Sequence, residues 1–217
     1  MSRWLRGALS AALVIAVVAG ASACTVAPGG GASATPTPTP IGTPSPTVEI
    51  QFADGDLLDP TQTASWADPL KGAAGYTVVT ARDGNGSWSY KSDAIGCTIG
   101  YWEGPLTGLD PSSDDKALSD QLLAAQFGTT AEEIATYVQD DIAPFRTPSE
   151  RVQTRAVPGA DDQSGSTYLI AARAFGALGQ GFVATLQCPA ATNVGAVWTL
   201  LSSNPNAFEL VFSPAQG

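Results

Sequence analysis

Residues 25 to 48 most constrain what this chain folds into. The segment is almost wholly Gly, Ala, Ser, Thr and Pro, with the alternation Thr35-Pro36-Thr37-Pro38-Thr39-Pro40 followed by Thr43-Pro44-Ser45-Pro46. Such a stretch lacks the side chains to bury a core and is expected to stay solvated. Its prolines favour extended polyproline II at ~3.1 Å per residue, so about 24 residues reach roughly 70 Å. A folded core therefore has to come from residue 49 onward. That leaves about 170 residues, the size of one domain with one core.

What precedes the stretch has the order of an export signal. Arg3 and Arg6 form a short positive region, Ala8 to Val18 an apolar run, and small residues lead to Cys24. The run is too short to cross ~30 Å of hydrocarbon as a permanent anchor. The two arginines are not adjacent, so a twin-arginine route is not indicated. Ala21-Ser22-Ala23 before Cys24 resembles a bacterial lipobox, although Ala21 stands where Leu is commoner. That resemblance implies a signal peptide over 1–23 and a mature N-terminus at Cys24 carrying the lipid. An ordinary signal cut near Ala23, leaving Cys24 as a free thiol, is the alternative. Signal, linker and composition together resemble cell-envelope lipoproteins of high-GC Gram-positive bacteria. The expected organisation is a signal peptide (1–23), a lipidated cysteine and linker (24–48), and one extracytoplasmic domain (49–217).

The chain has 10 basic and 20 acidic residues, and loss of 1–23 would leave 8 against 20, a formal charge of −12. Eight scattered cations make no basic patch for nucleic acid. An acidic surface is also repelled by anionic lipid, so membrane contact is expected through the lipid on Cys24.

With Cys24 taken by lipid, Cys97 and Cys188 remain. Each sits in a strand-like run, Ala94 to Ile99 and Gly181 to Cys188. An even pair in an exported domain reads as a structural disulfide. A redox pair would want C-x-x-C spacing and cationic neighbours, and neither is visible.

The remaining pattern predicts α+β. Glu49 to Phe52 reads as a short strand. Gly75 to Arg82 and Ser87 to Tyr90 flank the turn Asp83-Gly84-Asn85-Gly86, a hairpin signal. The Cys97 strand continues through Tyr101 and Trp102. A first helix is expected from Ser113 as N-cap to Gly128, with Leu118, Leu122 and Ala125 on one face. A capping box at Thr130-Ala131-Glu132-Glu133 opens a second, carrying Ile134, Tyr137, Val138 and Ile142 as its stripe up to Pro144. Val152 to Val157 reads as a strand, and Thr167 to Phe175 with Gly181 to Cys188 as a second hairpin. Residues 193 to 201 fit helix or strand. Asn204-Pro205-Asn206 turns the chain into a last strand, Phe208 to Phe212. The expectation is a mainly antiparallel sheet with two amphipathic helices packed on it. This order of elements resembles a Mog1/PsbP-like sandwich.

The chemistry is bounded first by an absence: the chain has no histidine. Ser-His-Asp and Cys-His catalysis and His-ligated zinc are thereby excluded. Ser113-Asp114-Asp115-Lys116 matches S-x-x-K, but no K-T-G exists and the residues serve a helix start. Asp83, Asn85 and Ser87 have EF-hand spacing, yet Trp88 and Ala94 occupy the required Gly and Glu positions. Asp54, Asp56 and Asp59 read as a solvated acidic loop. Glu132 and Glu133, and Asp140 and Asp141, are paired acids of the kind glycosidases use, with no cleft implied for either. No catalytic residue, metal ligand or cofactor is therefore assigned.

The aromatic group Trp66, Tyr76, Trp88, Tyr90, Tyr101 and Trp102 has two readings: core beneath the helices, or a ligand platform at Trp88, Tyr90, Tyr101 and Trp102. The function expected is a membrane-anchored, non-catalytic binding domain for an envelope protein or small ligand. A His-free, carboxylate-dependent cell-wall hydrolase and a structural envelope component are the alternatives.

Overall fold

The computed structural model describes residues 49–203 and 206–214. The signal peptide, Cys24 and linker expected over 1–48 lie outside these residues, as do Asn204 and Pro205 of the expected turn.

The domain is mixed α and β, with mainly antiparallel open sheets and three helices. Its centre is a seven-stranded sheet built from β3 (Tyr76–Thr80), β4 (Ser87–Ser92), β5 (Thr98–Pro105), β6 (Gln139–Asp140), β9 (Arg155–Ala160), β10 (Thr167–Phe175) and β11 (Gln180–Cys188). Their order across the sheet is β3-β4-β5-β11-β10-β9-β6, every neighbour antiparallel. Two small sheets flank it. One joins β1 (Glu49–Ile50), β8 (Arg151–Val152) and β7 (Phe145–Arg146); the other pairs β2 (Thr63–Trp66) with β12 (Leu210–Ser213).

Period-two alternation sorts the side chains onto two faces. Along β10, Leu169, Ala171 and Phe175 join the larger core, and Ala172 and Ala174 the smaller one on the opposite side. The larger core gathers Trp66, Trp88, Tyr101, Phe145, Phe182, Trp198 and Phe208 under the two small sheets and helix α3 (Val194–Ser203). The smaller core lies beneath helix α1 (Asp115–Phe127), whose Leu118, Leu122 and Leu123 sit over β9, β10 and β11.

The α1 cap lies one residue later than expected. Asp114, extended at ψ 167°, accepts the Ala117 N–H at 2.7 Å, while the Ser113 hydroxyl accepts from Gln121 Nε2 at 3.1 Å. Gly128 ends the helix in the left-handed conformation, φ 67°.

The second helix is much shorter than its sequence pattern. α2 (Ala131–Ile134) keeps its Thr130 cap but gives way to turns, and the chain then enters β6. Asp140 pairs with Arg155 across the β6–β9 ladder and binds its guanidinium, so the sheet edge takes the residues a helix would have used. Tyr137 and Ile142, 48% and 43% exposed, form no buried stripe with Ile134. The ambiguous segment near 193 is helical, as α3. The strand expected over Val152 to Val157 is broken into β8 and β9, with Thr154 Oγ1 donating to the Ala143 carbonyl at 2.8 Å at the break.

Cys97 and Cys188 are disulfide-bonded across a separation of 91 residues. The bond joins the chain just before β5 to the last residue of β11, and both residues are buried. The hairpin between β3 and β4 turns where Asp83 Oδ1 accepts the N–H groups of Asn85 and Ser87. Gly86, at φ 79°, is required there: a Cβ would lie 1.9 Å from the Glu103 carbonyl oxygen.

Candidate functional site

The alternation Ser87-Trp88-Ser89-Tyr90 splits β4 into an apolar and a polar face. The apolar face is core. Trp88 stacks on Tyr101 with centroids 5.3 Å apart, and the Tyr101 hydroxyl donates to the Ala207 carbonyl at 3.0 Å. Asp68, at φ 52°, accepts from Trp88 Nε1 at 3.2 Å and from the Tyr90 hydroxyl at 3.1 Å. Burial, reinforced by that carboxylate, pushes the Tyr90 phenol up to about 12. Burial takes Tyr101 well above its ordinary value too, with Asp68 adding to it. The Arg82 guanidinium lies 4.4 Å over the Trp88 ring and pairs with Glu103. Trp88, Tyr90 and Tyr101 are 3–4% exposed. They therefore form no open platform, and Trp102 projects from the other side of the sheet.

That other side is left open beside α1. Across β3, β4, β5 and β11 the register aligns Thr80, Ser89, Gly100 and Thr185 in one row. The next row holds Ser87, Trp102 and Val183. In an antiparallel sheet these positions share a face, with strands ~4.8 Å apart. Together with Gln126 from α1 they line a shallow concavity of about 250 Å³. Gly100 forms its floor: a Cβ there would meet Thr185 Oγ1 at 2.4 Å. Gly104 makes room for the Trp102 ring, since a Cβ would stand 2.7 Å from its Cζ2. The half-buried indole also packs against the smaller core, which fixes its position. Sequence reasoning followed the aromatics and missed Thr80, Ser87, Ser89, Gly100, Gln126 and Thr185. Only the Ser-x-Ser alternation in β4 hinted at a polar face.

The remaining candidates are scattered. Lys116 Nζ binds Asp140 Oδ2 at 2.9 Å and Ser113 Oγ accepts from Gln121, so the S-x-x-K residues are engaged separately. Asp54 accepts from the Gln51 N–H and Asp59 from Thr61. Glu133 hydrogen-bonds Thr129. Among the described residues no group of three or more Cys, Asp or Glu side chains is placed to hold a metal ion.

Asp140 and Asp141 have opposite surroundings. Burial would raise the Asp140 carboxyl, but hydrogen bonds from Lys116 and Arg155 outweigh it and hold the group below its ordinary value. Asp141 is raised by burial, against the pull of Arg151 and with help from the Glu49 carboxyl. Arg151 binds Asp141 Oδ2 at 2.6 Å, while the buried Asp141 Oδ1 and Glu49 Oε1 have no hydrogen-bond partner.

No family model matches the chain, and no curated protein matches it.

Proposed function

We propose that this chain is a lipoprotein tethered through Cys24 to the extracytoplasmic face of the cell membrane, with a domain that binds a ligand or partner without turning it over. The open half of the central sheet carries the proposal. One face is closed by two small sheets and α3, whereas the other is closed mainly over β9, β10 and β11. Thr80, Ser87, Ser89 and Trp102 stay partly or wholly exposed around a concavity. The disulfide supports export, because such bonds persist in oxidising compartments. The order of strands and helices also favours the Mog1/PsbP-like resemblance as the fold family.

Two experiments test the reading. Cys24→Ala should lose lipid labelling and leave the membrane fraction in cells; retention with normal processing would refute the anchor. A photo-crosslinking residue at position 89 should give an adduct in intact cells. One at Lys116, on α1 away from the concavity, should not. Equal labelling, or none at position 89, would refute the binding face.

The carboxylate hydrolase is the second reading, favoured by the raised Asp141 carboxyl beside Glu49. Its ion pair with Arg151 counts against it, since a general acid must give up its proton to substrate.

A further inference from the structure

We propose that the open face of β3, β4, β5 and β11 is a binding site for a neutral oligosaccharide. The inference deepens the binding reading above and rests on it. The lining of the concavity contains no ionisable side chain apart from the buried Tyr101 of the opposite face. A strip without charge offers no counter-charge to an ionic ligand that loses its water there, and the excess of 20 acidic over 10 basic residues repels anions further, so an uncharged ligand fits it best. The side chains around it are hydroxyls from Thr80, Ser87, Ser89 and Thr185, the Gln126 amide and the Trp102 indole. Among the described residues none of these six side chains has a hydrogen-bond partner within the protein. Several hydroxyls elsewhere are used locally, as Thr61 on Asp59, Ser112 on Asp110 and Ser164 on Asp161. Here they stand free, donors and acceptors at once, spaced by the strand ladder.

Sugars present the matching chemistry. Each ring offers hydroxyls that both donate and accept, together with an apolar C–H face that packs on an aromatic side chain. Trp102 supplies the aromatic surface and an Nε1–H that is not buried without a partner. Gly100 supplies a floor with no side chain, so the row of hydroxyls can be reached from above. A peptide strand would instead seek the backbone of a sheet edge, and this site is a sheet face. Lys91, paired with Thr98 in the adjoining row, is exposed on this side, and Arg82, Asp83 and Glu103 lie with Trp102 around a second concavity at the hairpin end of the site.

The test uses the mature lipoprotein in phospholipid nanodiscs. Calorimetric titration is run with cellohexaose, mannohexaose and chitohexaose as neutral probes, and with hexagalacturonate and a neutral hexapeptide as contrasts. At least one neutral hexasaccharide should bind saturably. Trp102→Ala should weaken it about tenfold or more, the effect of losing a central aromatic anchor. Ser89→Ala and Thr185→Val should each weaken it at least threefold with an unchanged melting temperature, which separates lost contacts from lost folding. Binding that none of the three variants weakens would overturn the assignment, and so would a lack of binding by every neutral sugar. If only hexagalacturonate binds and Lys91→Ala abolishes it, the neutral assignment falls, and if only the peptide binds the carbohydrate class falls, while the binding face survives in either case. If no probe binds and position 89 also gives no adduct in cells, both fall.

Discussion

Arg173 is the most consequential single residue in the core. Its side chain is fully buried, with Nη2 donating to Asp115 Oδ2 at 3.0 Å and to the Gln51 carbonyl at 2.9 Å. The guanidinium lies 4.4 Å over Phe52 and 4.7 Å over Phe175. Burial pulls its pKa down to about 10, against the pull of Asp115, so it stays charged at neutral pH. Asp115 also accepts the Gly176 N–H at 2.7 Å. One ion pair therefore ties the start of α1, the turn after β10 and the segment following β1. Removing one partner strands a buried charge, so Asp115→Ala should cost about 3–5 kcal/mol. Replacing both by apolar residues of similar volume should cost far less. Urea melts of the two variants decide it, and equal losses would show that the pair is not acting as a unit.

Asp140 and Asp141 provide the pH test at the same scale. Carbon-detected titration should find Asp140 ionising below, and Asp141 above, the ordinary Asp value. The signs then differ. Asp140, depressed in the fold, contributes stability present above its unfolded value and lost as pH falls through its folded one. Asp141, raised in the fold, binds its proton more tightly folded than unfolded. Its contribution is full below the unfolded value and is lost as pH rises through the folded one. The reverse order of ionisation would mean that Arg151, and not burial, dominates at Asp141.

At the scale of elements, helix α1 begins where a side chain satisfies its free N–H groups, and that side chain is Asp114. Asp114→Ala should destabilise the domain by about 0.5–2 kcal/mol, the usual cost of an N-cap. Ser113→Ala should cost clearly less, because its hydroxyl contacts the Gln121 and Asp110 side chains and no free N–H of the helix. Thermal melts of the pair measure the difference, and equal costs would place the cap wrongly. α1 was legible because its apolar spacing, capping acids and terminal Gly128 all agree. α2 was not. Thr130 and Glu133 signal a helix start in sequence, but Asp140 is captured by Arg155 of a strand distant in the chain, and the helix stops at Ile134. The same strand, β9, was read as continuous with β8, because no local signal marks the break at Gln153 and Thr154. The β10–β11 hairpin was read nearly to the residue, since its alternation is strong and its turn, Gly176 to Gly179, is glycine-bounded.

For the whole molecule, the Cys97–Cys188 bond links residues 91 apart in the chain and lies beside the β5–β11 ladder, where Thr98 pairs with Gln187. Cross-linking residues so far apart removes chain entropy from the unfolded state. The double variant Cys97→Ser, Cys188→Ser should therefore lose roughly 2–5 kcal/mol. Its far-ultraviolet dichroism should stay native, because the ladder hydrogen bonds and both cores remain. Urea titration in the presence of a thiol reductant should lower the wild-type midpoint to that of the variant. An unchanged midpoint would show that the staple adds nothing to a sheet already closed by packing.

Sequence by itself determined the cysteine pairing, the mainly antiparallel character and the lack of histidine chemistry. These depend on composition, on parity and on periods of two and 3.6, all of which are local. Tertiary structure alone decided which side of the sheet is open. Thr80, Ser89, Gly100 and Thr185 come from four strands, and only the long-range register of β5 with β11 sets them in one row. Trp88, Tyr90 and Trp102 are alike in a sequence reading. The pleat sends the first two into the core and the third to the open face, because a residue's face follows from the register of its partners and not from its own chemistry.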